Sequence, residues 1–258
     1  MIELSVVIPT VNRADSLGAC LKSVGAATNR SCEFVVVNGA SSDATEAVLE
    51  SARAQWGDRL HVITEQRREG FVRAANKGFR AARGRYLTWL NDDARPLPGS
   101  FDIAIEHLEN SISGTALAAL FHSTHVARNI AIATRHLNRP FHVLHVRGTL
   151  YANFGLGSRE LFEQLDYFDE RYFLNAADPD FSLKVWEAGY SVVPALGAFI
   201  DHDELPDERR RVDSSAGAAD NAKLFAKWDL PDRNPTVLFN PARPCTSLGL
   251  RPQLRKAV

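Results

Sequence analysis

Cysteine is scarce in this chain. Only Cys20, Cys32 and Cys245 occur in 258 residues, and none lies in a C-x-x-C spacing. A set that is both sparse and odd argues against a disulfide framework and against a thiolate zinc site. Buried or incidental thiols are the expectation. Neither sign of charge is in excess, with 30 Lys and Arg against 31 Asp and Glu, so no global electrostatic case exists for a nucleic-acid partner or a membrane surface. No apolar run approaches the roughly 20 residues of a membrane span. The opening MIELSVVIPT lacks a basic start, and its apolar stretch stops at Pro9, unlike a signal peptide. Repeats and low-complexity blocks are missing as well. These absences point to a cytoplasmic globular protein, with peripheral contact at the inner face of a membrane left open. At 45% hydrophobic residues the chain has ample material for a core, and its length suits one large α/β domain.

Short β-branched runs alternate with helical spacing through the first hundred residues. Leu4–Ile8, Phe34–Val37, Leu60–Ile63 and Tyr86–Leu90 read as strands buried on both faces. Helices are predicted over Ala14–Val24, after the capping residues Ser41-Ser42-Asp43, and over Gly70–Ala82. This alternation predicts a mostly parallel sheet with helices on both faces, in which ligands bind beyond the carboxyl ends of the strands. Pro9-Thr10, Asn38-Gly39 and Asn91-Asp92-Asp93 all stand at such ends. Further on, helices are predicted at Phe101–Leu108, Ser158–Leu165, Asp178–Ala188 and Ala218–Trp228, with strands at Ala116–Phe121, Phe141–Val146 and Ser191–Val193. The histidines of the segment His122–His145 follow no metal-ligand spacing. The tail from Pro206 is polar and proline-rich, and its basic run Arg209–Arg211 reads as a solvated loop.

Three acidic features carry the chemistry. Asp92-Asp93 at a strand end fits a helix cap, a solvated turn or a divalent-cation site, since hard cations prefer carboxylate oxygen. Asp178-Pro179-Asp180 opens a predicted helix, where Asp178 suits either an N-cap or a general base. His202, flanked by Asp201 and Asp203, is a structural histidine or a metal ligand with acidic support.

Taken in order, SVVIPTVNRADSLGACLKSV, FVVVNGASSDAT, REGFVRAANKGFRAARGRYLTWLNDDARPLPG and LGSRELFEQLDYFDERYFLNAADPDFSLKVWEAGYSVVPALGAFIDH resemble the inverting family-two nucleotide-sugar glycosyltransferases. The resemblance spans roughly Leu4 to His202. It implies a single GT-A-type, Rossmann-like domain over 1–205, with 1–97 as the nucleotide-sugar half and 98–205 as the acceptor half. A C-terminal extension, 206–258, would form a helix or lid and be partly mobile. It implies that Pro9, Thr10, Asn12 and Arg13 line the nucleotide pocket, with Asn38 and Gly39 at the base, Arg73 near phosphate and Asn76 flanking the nucleotide. Asp93 matches the metal-binding acid, Asp92 the partner of ribose or of the metal's water shell, and His202 a family histidine near the metal. Asp178 matches the general base that takes a proton from the acceptor hydroxyl, with Asp180 as second choice.

The implied cofactor is Mn²⁺ or Mg²⁺. The implied donor is a UDP-, dTDP- or GDP-sugar, and the acceptor a glycan, a lipid-linked glycan or a small molecule. Surface-glycan or related glycoconjugate biosynthesis is the setting by analogy. Asn38, Asn91 and Ala177 replace acids of the family pattern, which permits a degenerate, purely sugar-nucleotide-binding protein as the alternative. A sugar nucleotidyltransferase is disfavoured because PTVNRADS lacks a glycine-rich phosphate loop.

Overall fold

The computed structural model describes residues 1–111, 115–123, 129–203 and 208–229, with the backbone alone for 115 and 208–212. The first four strands are β1 (Leu4–Thr10), β2 (Cys32–Asn38), β3 (Leu60–Thr64) and β4 (Tyr86–Trp89). They pair in parallel in the order β3-β2-β1-β4. All seven residues of both β1 and β2 are buried, as expected of strands covered on each face. Helices α1 (Ala14–Ala26) and α2 (Thr45–Trp56) pack on one face, and α3 (Phe71–Ala81) on the other.

Beyond β4 the pairing is mixed. The later strands are β5 (Ala94–Pro96), β6 (Thr115–His122), β7 (Ile130–His136), β8 (Arg139–Val146), β9 (Thr149–Tyr151), β10 (Gly155–Ser158) and β11 (Ser191–His202). The sheet continues as β4-β10-β6-β11-β5, with β10 antiparallel to both neighbours and β11 parallel to β6. The parallel pairing predicted from the first hundred residues is therefore interrupted after β4 by β10 and returns between β6 and β11. Parallel neighbours need a long crossover, whereas β7, β8 and β9 follow one another through tight two-residue turns, Leu137-Asn138 and Arg147-Gly148. Because β10 reverses direction, β6 and β11 run the same way as β1 and β4. Their carboxyl ends, His122 and His202, consequently reach the same rim of the sheet as Thr10 and Asn38.

The remaining helices complete the two layers. Helix α4 (Ser100–Glu109) joins α1 and α2, while α5 (Arg159–Gln164), α6 (Ala177–Glu187) and α7 (Glu208–Lys227) lie with α3. Ser158 caps α5 by accepting from the Leu161 N–H at 3.2 Å, the role its residue type predicts. Helix α7 is longer than the sequence pattern indicates and is not a detached extension. Its Leu224, and Trp228 just beyond it, are buried in the same apolar cluster as Phe181 and Trp89.

Close packing of α3 on β1 depends on Gly78. A Cβ there would stand 2.3 Å from Val7 Cγ1, in the middle of a fully buried strand. Gly78→Ala gains about 1 kcal/mol of helix propensity, but overpacking against an immobile strand costs more. A net loss of about 1–2 kcal/mol is expected in urea denaturation.

Candidate active site

The rim where these strands end encloses a cleft of about 550 Å³. Pro9, Thr10, Arg13, Gly39, Asp92, Asp93, Asp178 and His202 all line it. Residues from positions 9 to 202 thus meet in one site. At its floor, Asp92 and Asp93 are 2% and 1% exposed. Two adjacent buried carboxylates require compensation, which among the described residues comes from Arg13 and Thr10. The buried Arg13 places Nη1 3.1 Å from Asp92 Oδ1 and 2.7 Å from Asp93 Oδ2. Thr10 Oγ1 donates to Asp92 Oδ2 at 2.9 Å. His202 Nε2 lies 3.2 Å from Asp93 Oδ1.

Asn91 supplies a reason for its own presence. Its Nδ2 sits 3.2 Å from His202 Nε2. An amide N–H donated there leaves the ring nitrogen as an acceptor, the form that binds metals. A carboxylate at position 91 would have no proton to give. Behind His202, the buried His122 is held neutral. Burial, with His202 and His142 adding to it, pushes its pKa down to about 3.

Asp178 lines the same cleft from the first turn of α6. It is not the N-cap; Ala176 holds that position, with φ 67°. The residue as a whole is half-buried, but its Oδ1 is out of reach of solvent and has no hydrogen-bond partner. Burial pushes its pKa up to about 8, with the Trp89 indole N–H offsetting part of the effect. Tyr151, another lining residue, is raised as well, by its own burial and then by the charge of Asp178. A carboxyl group poised near neutrality in a cleft is a functional-site signature.

Asp180 does not share this setting. It is fully buried and accepts from Tyr172 Oη at 3.0 Å, Trp228 Nε1 at 2.6 Å and Lys227 Nζ at 2.9 Å. That network makes it a structural anchor rather than a second base.

Four other residues expected around the nucleotide do not line the cleft. Asn76 is completely buried and clamps the loop after α5, donating to Phe168 O at 2.9 Å and accepting from Phe168 N at 3.0 Å. Arg73 is half-exposed and faces Glu170 at 3.9 Å. Asn12 is exposed and its Oδ1 accepts from the Ser42 N–H at 2.7 Å. Asn38 is buried, with Oδ1 accepting from the Ser41 N–H at 3.0 Å, so it shapes the turn around Gly39.

Three charged residues of the lining, Glu65, Arg68 and Asp213, carry no local signal in the sequence. Glu65, just past β3, holds Lys77 Nζ at 2.7 Å and accepts from the Glu69 N–H at 3.1 Å. Arg68 forms a two-point ion pair with Asp213 of α7, at 3.0 and 2.5 Å. Helix α7 also contributes Ser214 and Asn221 to the wall. Its Asp220 accepts three successive backbone N–H groups, from Phe173, Leu174 and Asn175, at 3.0, 2.8 and 3.1 Å. These bonds fix the loop that leads into Asp178. The run Arg209–Arg211, expected in a solvated loop, is helical backbone at the start of α7, and its side chains lie outside the described residues.

Among the described residues, no three His, Cys, Asp or Glu side chains form a self-sufficient metal cage. Asp93 and His202, in contact, offer two ligands. That donor set fits a Mg²⁺- or Mn²⁺-type ion, which binds through one or two carboxylates and takes the rest of its shell from substrate phosphate and water. No helix of the described residues is long and apolar enough to cross a membrane.

A sheet of this order, with paired acids and a solvent-shielded carboxyl oxygen facing one cleft, is a Rossmann-like fold of the GT-A type. The model of glycosyl transferase family 2 matches residues 5–165, and the chain belongs to that family. Among curated proteins it is 36% identical over 89 residues to a PGL/p-HBAD biosynthesis glycosyltransferase of Mycobacterium tuberculosis, covering 34% of each chain. It is 28% identical over 116 residues to glycosyltransferase AglE of Haloferax volcanii, covering 44% of this chain and 36% of the relative. The matched region thus spans about a third of these relatives' length. In fold it is similar to the mannosyltransferase PcManGT of Pyrobaculum calidifontis in complex with GDP-Man and Mn²⁺, with a TM-score of 0.66, 18% identity, and coverage of 87% of this chain and 63% of that one. It is likewise similar to S. aureus TarS 1-349 in complex with UDP-GlcNAc, with a TM-score of 0.61, 20% identity and coverage of 80% and 60%.

Proposed function

We propose that the chain transfers a sugar from a nucleoside-diphosphate sugar to an acceptor hydroxyl, inverting the anomeric centre in one displacement. The observation that carries this reading is Asp178, a solvent-shielded carboxyl group facing the same cleft as Asp92, Asp93 and His202. In the reaction the acceptor oxygen forms a bond to the anomeric carbon while the bond from that carbon to the diphosphate oxygen breaks. The leaving diphosphate keeps the electron pair. Asp178 takes the hydroxyl proton as general base. With attack opposite the leaving group no covalent enzyme intermediate is required, the same logic as an inverting glycosidase with a sugar or lipid hydroxyl in place of water.

Asp93 and His202 would hold Mn²⁺ or Mg²⁺, which supplies positive charge to the departing diphosphate. Asp92, gripped by Thr10 and Arg13, suits the ribose side. The nucleoside would lie toward Gly39 and Glu65 at the ends of β2 and β3 and Gly70 at the start of α3, where sheets of this kind bind nucleotides. Two similar folds hold GDP-Man with Mn²⁺ and UDP-GlcNAc respectively, which supports UDP-, dTDP- and GDP-sugars as the donor panel. The acceptor class is a glycan, a lipid-linked glycan or a small molecule, in surface-glycan or related glycoconjugate assembly.

The test is a thermal-shift and transfer screen of this panel with Mn²⁺ and Mg²⁺, with the product anomer read by NMR. A stabilising donor and an inverted product are expected. Nucleotide binding without turnover on any acceptor would favour a sugar-nucleotide-binding protein instead. Asp93→Ala should lose at least a hundredfold in turnover, and chelator should act on the wild type but not further on the variant. Retention of full activity in chelator would remove the metal from the reading.

A further inference from the structure

Arg13 does more than neutralise its neighbours. It precedes α1 and its side chain is 5% exposed, so it is packed in place rather than sampling solvent. Its Nη1 touches Asp93 Oδ2 at 2.7 Å, and Asp93 Oδ1 is 3.2 Å from His202 Nε2. Asp92 is shared between the same Nη1 and Thr10 Oγ1. Three of the four carboxylate oxygens therefore accept from Arg13 or Thr10, and Arg13, the cation that holds the pair among the described residues, is covalently part of the chain.

A guanidinium keeps its charge at any working pH. A divalent ion settling on Asp93 must displace that contact or tolerate a positive charge beside it, in a buried setting where like charges repel strongly. A nucleoside diphosphate changes the balance. It brings two or more negative charges that the ion and Arg13 can share.

We infer that Arg13 is a resident counter-cation that suppresses divalent-metal binding until the diphosphate arrives, so that metal and nucleotide bind as a coupled pair. The inference rests on the metal reading proposed above. By linkage, whatever factor the nucleotide adds to metal affinity, the metal adds to nucleotide affinity. Arg13 is thus a positioning residue for binding order, separate from the proton transfer at Asp178.

The experiment is a Mn²⁺ titration of the full chain, read by electron paramagnetic resonance of free Mn²⁺, with and without UDP or GDP. Four proteins are compared: wild type, Arg13→Met, Arg13→Gln and Arg13→Lys. In wild type, Mn²⁺ should bind at least tenfold more tightly with nucleotide. Arg13→Met should bind Mn²⁺ at least tenfold more tightly than wild type without nucleotide, and the nucleotide effect should shrink accordingly. Arg13→Lys, which keeps the charge, should remain weak like wild type. Arg13→Gln, neutral and still able to donate to Asp93, replaces Arg13→Met if circular dichroism shows that variant unfolded. Equal nucleotide-free affinity in the neutral variants and wild type overturns the inference while leaving a metal site intact. No Mn²⁺ binding by any protein, even with nucleotide, overturns both the inference and the metal reading.

Discussion

Asp178→Asn is expected to lose transfer activity by about 10²–10⁴-fold, the usual contribution of a general base, and to become more stable at the same time. Donor binding should persist, because the amide fills the same space. The pH dependence supplies a sharper check. With its pKa raised to about 8 by burial, Asp178 holds a proton at neutral pH in the free protein. Wild-type kcat/KM should rise with pH through a limb near 8, and the residual activity of the variant should lack that limb. A wild-type profile that is flat from pH 6 to 9 would remove Asp178 as the base.

The stability effect has the opposite sense. The unfolded-state carboxyl titrates near 4, so between about pH 4 and 8 the folded chain holds a proton that the unfolded chain has released. Stability linked to this group is fully present below pH 4 and is lost as pH rises through 8. Asn escapes that loss. The gap between variant and wild type should widen from pH 4 to 8 and then level off. Since Asp178 is only half-buried, a difference of about 1–2 kcal/mol is expected rather than the full electrostatic value. At this chain length that is roughly 2–4 °C in Tm per kcal/mol.

Trp228→Ala should destabilise the protein by about 3–5 kcal/mol, the range for removing a fully buried aromatic. The indole is 0% exposed and its N–H donates to Asp180 at 2.6 Å. Truncation leaves both a cavity and a weakened network around a buried carboxylate. The effect should extend to catalysis, because the helix that Trp228 anchors carries Asp220, which grips the three N–H groups leading into Asp178. Trp228→Phe keeps most of the packing and loses only the N–H donor, so about 1–2 kcal/mol is expected. Chemical denaturation of both variants, with donor KM measured alongside, checks this. Near-wild-type stability of Trp228→Ala would show that α7 is dispensable to the core.

The first half of the sheet was legible because buried parallel strands advertise themselves as β-branched runs bounded by turn residues. The acids of the cleft were legible because they sit at strand ends, where apolar runs stop abruptly at Asn91-Asp92-Asp93 and at Asp201-His202. Residues whose role depends on distant pairing were not. Arg68 meets Asp213 across 145 positions, and no local pattern announces such a pair. Glu65 is one of several charges in TEQRREG, and only the placement of β3 brings it to the rim. Asn76 shows the converse: a polar residue in a motif reads as ligand-facing, yet its amide is consumed by the backbone at Phe168. The length of α7 was hidden because its buried positions are few and its small residues carry no hydrophobic rhythm.

Helix α7 also bears on how the protein is made. The chain leaves the ribosome from its amino end, so β1 through β4 and the Asp92-Asp93 floor emerge long before residues 213–228. Until those residues appear, Arg68 lacks Asp213, the N–H groups of 173–175 lack Asp220, and Asp180 lacks Trp228. The wall that carries Asp178 is therefore the last described part of the cleft to be assembled. A growing chain would have the strand-end side of the cleft in place before the α6 wall, which is complete only once synthesis passes α7.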